Sequence, residues 1–429
     1  MRFMMTILMF FLFLIFLAIK MPMSISMGLS ALIAFLLSGE DLLSLPQMLA
    51  MGVNSYPLMA VPFFILAGNI MDGTGLTTRI FNFCRALVGH LPGGLAQVIV
   101  VAECILSGIT GTAVGDCAGL GTIAVPMMTK AGYKKPFSSA VCISAATLGP
   151  IIPPSLMMVI YAVEANTSVA KLFIGGIIPG GLMALCLMLY ISYVVKTGRQ
   201  DCPPLKRATV IEVLRAFKGG FFGVVAPGVI IVAFMTGTVT PTEAGVIATL
   251  YSVVVGFLYG DFKLKTLPKM LEDSFVVTAL IMFIIATATA MGDIMTLEQI
   301  PQKLSTSLLG LTTNKYILLF LINLFLLFLG SILEGMPILI IMTPILVPLM
   351  QSLGVDLVHF GVVFCLAITI GIMTPPMAIG IFILVGITGC SFEEISRETV
   401  KFLIPLIIAL FIITFIPAIT LFLPNLLIK

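Results

Sequence analysis

Thr147-Leu-Gly-Pro-Ile-Ile-Pro-Pro-Ser155 lies inside a long apolar run, and Thr369-Ile-Gly-Ile-Met-Thr-Pro-Pro376 repeats its pattern 222 residues further on. Thr147, Gly149, Pro153 and Pro154 land on Thr369, Gly371, Pro375 and Pro376. The same shift carries Gly108 onto Gly330, Val125-Pro126 onto Val347-Pro348, Met128 onto Met350 and Gly132 onto Gly354. One gapless offset over so many positions marks an internal repeat, so the chain reads as two copies of one unit. Proline lacks an N–H and its ring clashes with the preceding helical turn. Each copy therefore contains a helix that must break at its double proline.

The composition gives the solvent in which these helices fold. Of 429 residues, 60% are hydrophobic and 10% charged, and the mean hydropathy is +1.21. Soluble domains carry about 25% charged residues, so a lipid bilayer is the expected surrounding. Soluble enzymes, nucleic-acid binders and disordered scaffolds are excluded on the same ground. The net charge of +3 says little by itself, because in a membrane protein the side on which charges fall matters more than their sum. The eight cysteines (84, 104, 117, 142, 186, 202, 365, 390) form no CxxC pair and read as small buried hydrophobes. His90 and His359 are far apart, which speaks against a metal centre. With neither G-x-x-x-x-G-K-[ST] nor G-x-G-x-x-G after a strand, ATP is not expected as the fuel.

A spanning helix needs about 20 apolar residues. Ten segments qualify: 3–19, 23–38, 56–72, 137–165, 171–195, 220–237, 242–259, 274–292, 359–388 and 401–424. The first lacks a small-residue cleavage site and is expected to remain in the mature chain. Segments 94–128 and 315–350 are each too long for one span and are interrupted by Gly, Ser or Pro; they read as re-entrant helical hairpins. Their tips would be 107–112 and 330–335. Segments 77–91 and 296–311 precede the hairpins and mix apolar with charged residues, as amphipathic interfacial helices or plain connecting loops would.

Loop charge orients the copies. Lys130, Lys134 and Lys135 follow the first hairpin, whereas 351–358 holds no lysine and carries Asp356. The positive-inside rule puts the first loop in the cytoplasm and the second outside, so the repeats are inverted. Lys196, Arg199, Lys206, Arg207, Arg215 and Lys218 outnumber Asp201 and Glu212, which makes 196–219 a cytoplasmic loop and places both termini outside. The expected organisation is a helical segment (1–92), a first half with hairpin and broken helix (93–195), a loop (196–219), a second helical segment (220–312) and a second half with hairpin and broken helix (313–429).

Interrupted helices leave backbone groups that must be satisfied, at several kcal/mol each. Carbonyl ends suit Na+, and N–H ends suit an anion. Candidate sodium ligands are Ser107, Gly108, Thr110, Thr147 and Gly149 in the first copy, and Gly330, Ser331, Glu334, Thr369, Gly371 and Thr374 in the second. An anionic substrate is placed against Thr112, Asp116, Pro153, Pro154, Ser155, Pro375 and Pro376. Each hydroxyl alone has a duller reading, a bond back to the i−4 carbonyl, and only the paired placement favours a site. Glu103, Asp116, Glu243, Asp293 and Glu334 are intramembrane acids and hence functional candidates. Glu334 would hold a cation or cap the following arm, and Glu243 reads as a first-turn acid. No Lys or Arg lies near the tips, so an anion would rely on helix ends, hydroxyls and the cation.

The runs Gly108-Ile-Thr-Gly-Thr-Ala-Val-Gly-Asp116, Met128-Thr-Lys-Ala-Gly-Tyr133 and Thr147 to Ser155 resemble the large membrane subunit of tripartite ATP-independent periplasmic (TRAP) transporters. So do Ala67 to Asp72, Leu91 to Leu95, Thr240 to Gly245 and Thr374 to Pro376, in order over nearly the whole chain. Thr110 and Thr112 stand where the family usually has serines, and Gly115 stands where it has alanine. The resemblance implies an all-α polytopic protein of a bacterial inner membrane, without a cofactor beyond coupling sodium ions. It also implies an elevator-type symporter of an organic acid (sugar acid, sialic acid or dicarboxylate), working with a small four-helix membrane subunit and a periplasmic substrate-binding protein. A stand-alone sodium/dicarboxylate symporter would share the architecture but need no partner. A passive channel would conduct without sodium, and an enzyme would need a catalytic constellation that the sequence lacks.

Overall fold

The computed structural model describes residues 2–38, 43–200, 202, 205–235, 239–260, 262–312, 314–376 and 378–428, without the side chains of 2–5, 108–110, 235, 304, 305, 308, 309 and 311. The described residues form helices and no strand. The first half runs α1 (Arg2–Ala18), α2 (Met23–Ser38), α3 (Ser44–Val53), a 3-10 turn (Tyr56–Met59), α4 (Ala60–Gly73) and α5 (Leu76–Val88). It continues with α6 (Gly94–Thr110), α7 (Ala113–Lys130), α8 (Lys135–Ala146), α9 (Leu156–Glu164) and α10 (Val169–Lys196). The second half runs α11 (Val210–Met235), α12 (Pro241–Tyr259), α13 (Leu267–Leu297), α14 (Ile300–Leu311) and α15 (Lys315–Ile332). It ends with α16 (Gly335–Ser352), α17 (Leu357–Ile372), α18 (Ile379–Thr388), α19 (Phe392–Phe415) and α20 (Ala418–Leu427). Seven of the described helices are long and apolar enough to cross a membrane, or eight if α3 and α4, bent by 61°, count as one span.

The repeat written in the sequence is visible in the helix ends. Shifted by 222, α7 coincides with α16 residue for residue, α6 with α15 to within one residue, and α9 with α18 to within two at its C-terminal end. Packing obeys the same relation: α8 touches α6 and α7 as α17 touches α15 and α16. The two copies also interlock, because α7 packs on α18 and its counterpart α16 packs on α9.

Several segments differ from the sequence reading. The span expected over 220–237 starts at Val210, ten residues earlier, so the 196–219 loop is shorter than expected. Glu212 accepts from the Thr209 N–H at 2.7 Å, and this cap starts a charged first turn that hydropathy alone leaves in the loop. The span expected over 401–424 starts at Phe392 and is two helices, because Pro417 disfavours helical backbone at Ile416 (φ −120°, ψ 81°). The span of 274–292 extends to Leu267–Leu297. Helix α3 is not anticipated at all. Segments 77–91 and 296–311 are helical, and in α5 Leu76, Ile80, Phe81 and Cys84 bury one face, as an amphipathic helix does.

Lipid tails are as apolar as leucine, so helices associate here through small residues and interhelical hydrogen bonds rather than through hydrophobic burial. Thr249 Oγ1 on α12 donates to the Phe63 carbonyl on α4 at 2.8 Å, and Thr242 Oγ1 to the Tyr56 carbonyl at 2.8 Å. Gln97 Nε2 joins α6 to α10 by donating to the Met188 carbonyl at 3.0 Å. Asn323 Nδ2 joins α15 to α19 through Thr414 Oγ1 at 2.8 Å. Helix α12 begins with a reciprocal capping box, in which Thr240 Oγ1 accepts from Glu243 N at 3.3 Å and Glu243 Oε2 from Thr240 N at 2.7 Å. Glu243 is thus a first-turn acid, as its place after Pro241 suggests. Thr240→Ala is expected to cost about 1 kcal/mol. A lowered thermal midpoint in detergent, with Thr240→Ser unchanged, checks it.

Candidate functional site

The first turn lies against the break of its own copy, and in the second copy the helices that lead into the turn and the break cross closely. Helix α6 ends at Gly111, whose φ of +64° suits a residue without a side chain. A Cβ there would lie 2.9 Å from the Pro154 carbonyl oxygen and 3.4 Å from Leu156 N. The first tip is therefore the two residues Gly111 and Thr112, shorter than the 107–112 expected, and it rests on the backbone just past Pro153-Pro154. In the second copy α15 and α17 cross backbone to backbone: a Cβ on Gly330 would lie 2.8 Å from Gly371 Cα, and one on Gly371 2.7 Å from Gly330 Cα. Only glycine at both positions permits this approach. The Pro153-Pro154 and Pro375-Pro376 peptide bonds are both cis.

The sodium candidates fall along these contacts. Ser107 is buried, with its hydroxyl 3.4 Å from the Cys104 carbonyl. Thr147 Oγ1 donates to the Ser144 carbonyl at 2.7 Å, Ser331 Oγ to Phe328 at 2.7 Å, Thr369 Oγ1 to Cys365 at 2.7 Å and Thr374 Oγ1 to Ile370 at 2.7 Å. Each described hydroxyl thus bonds backward, Thr369 and Thr374 to the i−4 carbonyl that the duller reading foresees and Ser107, Thr147 and Ser331 to the i−3 carbonyl. The two readings are compatible, since that bond uses the hydrogen and leaves the oxygen lone pairs, which are what a hard cation binds. Gly108 and Thr110 lie in the last turn of α6, and the Thr110 side chain falls outside what is described.

Other candidates divide. Ser155 is committed twice as the N-cap of α9, accepting from Met158 N at 3.3 Å and donating to the Pro150 carbonyl at 2.5 Å. Its hydroxyl is therefore spoken for within the fold. Pro153 and Pro154 are buried, Pro375 is half-buried and Pro376 exposed. Thr112 stands at the N-cap position of α7 without a side-chain cap bond. Glu334 is exposed at the second tip and makes no side-chain cap bond to α16, so the capping role expected for it is not seen.

Asp116 is buried against Gly149, where a Cβ would collide with its Oδ2. Its carboxyl also faces that of Glu103, which is fully buried on α6, with Asp72 the next acid. Neither Glu103 oxygen meets an N–H or O–H donor among the described residues. The second copy has Phe325 and Ile338 at the positions shifted by 222, so this acidic contact belongs to one copy alone. Sequence reasoning names both acids but does not bring them together, because they sit at unequal distances from the turn. It places Gly111 in the first tip without a role of its own, and it misses Met157. The Met157 thioether, on α9 of the first copy, lies 3.7 Å from Thr369 Oγ1 and joins the two breaks.

Two breaks, two tips and a set of acceptor oxygens within an all-helical, multi-pass chain define a membrane transport protein rather than an enzyme. The family model of the tripartite ATP-independent periplasmic transporter, DctM component, matches residues 10–419. The chain belongs to that family, the large membrane subunits of TRAP transporters, and is a multi-pass protein of the bacterial inner membrane. It is 35% identical over 408 residues to the sialic acid TRAP transporter large permease SiaM of Vibrio cholerae, covering 95% of each chain. It is 37% identical over 402 residues to the C4-dicarboxylate large permease DctM of Pseudomonas aeruginosa, covering 93% of this chain and 94% of that one. Among solved structures, the YdaH transporter of Alcanivorax borkumensis shares the fold with a TM-score of 0.61 at 15% identity, over 87% of this chain and 88% of that one.

Proposed function

We propose that the chain is the permease of a sodium-coupled symporter that takes up an organic anion of the sugar-acid, sialic-acid or dicarboxylate type. A periplasmic binding protein delivers the anion, and a small four-helix subunit completes the scaffold. The observation that carries this reading is the close packing of Gly111 on the first break and of Gly330 on Gly371 beside the second, with the buried hydroxyl oxygens of Thr147 and Thr369 at the helix ends that lead into the two breaks. A cation held there offsets the charge of an anion in a low-dielectric pocket, so each ligand strengthens the binding of the other. In this reading α6–α7 and α15–α16 are re-entrant hairpins of inverted copies, and they move with α8, α9, α17 and α18 as an elevator. The relatives named for sialic acid and C4-dicarboxylates support the substrate class.

The test is uptake of radiolabelled sialic acid, succinate and sugar acids into proteoliposomes under an imposed Na+ gradient, omitting each component in turn. Uptake that requires sodium, the small subunit and the binding protein is the expected outcome. Uptake by this chain alone would assign it instead to independent symporters.

A further inference from the structure

A cavity of about 670 Å³ opens where the N-terminal end of α8, the C-terminal end of α10 and the N-terminal end of α19 meet. It lies far in sequence from the tips and breaks, on the lysine-bearing face that the positive-inside distribution puts in the cytoplasm. Its inner wall is aromatic: Phe402 stacks edge-on with Tyr190 at 4.9 Å and packs with Phe137 at 5.7 Å between ring centroids. Its rim carries four cations and three acids, but these do not cancel. Lys401 is held by Glu398 at 2.7 Å, and Glu394 is occupied at the α19 N-terminus, accepting from Ser391 N at 3.0 Å. Among the described residues Lys134, Arg199 and Arg397 make no ion pair, and Glu393 and Glu394 oppose them, so the rim keeps one positive charge in excess. Arg199 is steadied by the Tyr193 ring, 5.4 Å from its guanidinium carbon. The positive end of the α19 dipole points the same way.

From this we infer a second binding site, on the cytoplasmic face, for a small soluble polyanion carrying carboxylate or phosphate groups. Arg199 and Arg397 supply planar, bidentate donors for the acid groups and Lys134 a point charge, while Tyr190 borders the carbon skeleton. The volume lies within the range of small-molecule pockets. This site is independent of whether transport is sodium-coupled, and so of the reading above.

Isothermal titration of the purified full chain, in phosphatidylcholine nanodiscs, with citrate and separately with inorganic phosphate tests it. One saturable site per chain is expected for at least one probe, with affinity falling about tenfold or more in the Arg199→Gln/Arg397→Gln variant. Lys130→Gln, which removes an exposed charge on the same face but outside the cavity, is expected to leave binding unchanged. Equal loss in both variants, no saturable binding of either probe, or binding abolished by adding phosphatidylglycerol to the disc would overturn the inference. The last result would give the cavity to a lipid headgroup.

Discussion

Replacing Gly371 with alanine is expected to reduce uptake to background and to lower the thermal midpoint in detergent by several degrees. The added methyl would sit 2.7 Å from Gly330 Cα and 2.9 Å from the Leu327 carbonyl oxygen, both backbone atoms. No rotamer change relieves such a contact; α15 and α17 must separate. Overpacking of this kind costs about 1–3 kcal/mol in stability. The cost in transport is larger, because separation moves Ser331 and Thr369 apart together. Gly386→Ala is the control: it adds the same methyl to a helix where nothing lies within 4 Å, so full uptake and equal or slightly higher stability are expected. Wild-type uptake by the Gly371 variant would remove the crossing from the transport site.

Alanine at Thr147 or at Thr369 is expected to raise the sodium concentration for half-maximal uptake about tenfold, the value of one lost ligand worth roughly 1.4 kcal/mol. The two hydroxyls lie at different breaks, so if they serve separate ions the double variant should scale the whole sodium curve and again shift it about tenfold, whereas a shift of about a hundredfold would mean that both ligate one ion. Thr147 donates to one carbonyl, and Thr369 to one carbonyl with a weak second contact to the Met157 sulfur; their helices can satisfy those carbonyls otherwise, so the variants should remain folded. Serine at the same positions restores the oxygen and should restore sodium dependence. Identical sodium curves in all variants would place the coupling ion elsewhere.

Much of this architecture was legible before any coordinates. The shift of 222 is a statement about spacing, and spacing survives folding: it fixes α7 and α16 to the same residue at both ends. Double prolines impose helix breaks that no tertiary context can repair. What escaped depends on three-dimensional contact or on competition among weak signals. Helix α3 contains Pro46 and Gln47, which dilute its hydropathy, and is seen only because it packs on α13. The early start of α11 rests on a polar cap, whereas a hydropathy window registers only the charges that follow it. The pairing of Glu103 with Asp116 depends on how α6 tilts past α7, and sequence separation does not encode that tilt. Met157 read as one more apolar residue, since only assembly of the two copies brings its sulfur to Thr369.

The contrast between the two copies has a kinetic consequence. At Gly330 and Gly371 backbone meets backbone, so the second junction can open only by displacing whole helices, a collective event on the microsecond-to-millisecond scale. At Gly149 the first junction takes in the Asp116 carboxyl, a side chain that can turn, and it meets backbone only where Gly111 lies on Pro154 and Leu156. Copies that share a spacing therefore need not share a rate. If transport opens both junctions, the one closed by backbone on backbone is the one expected to need a whole-helix displacement.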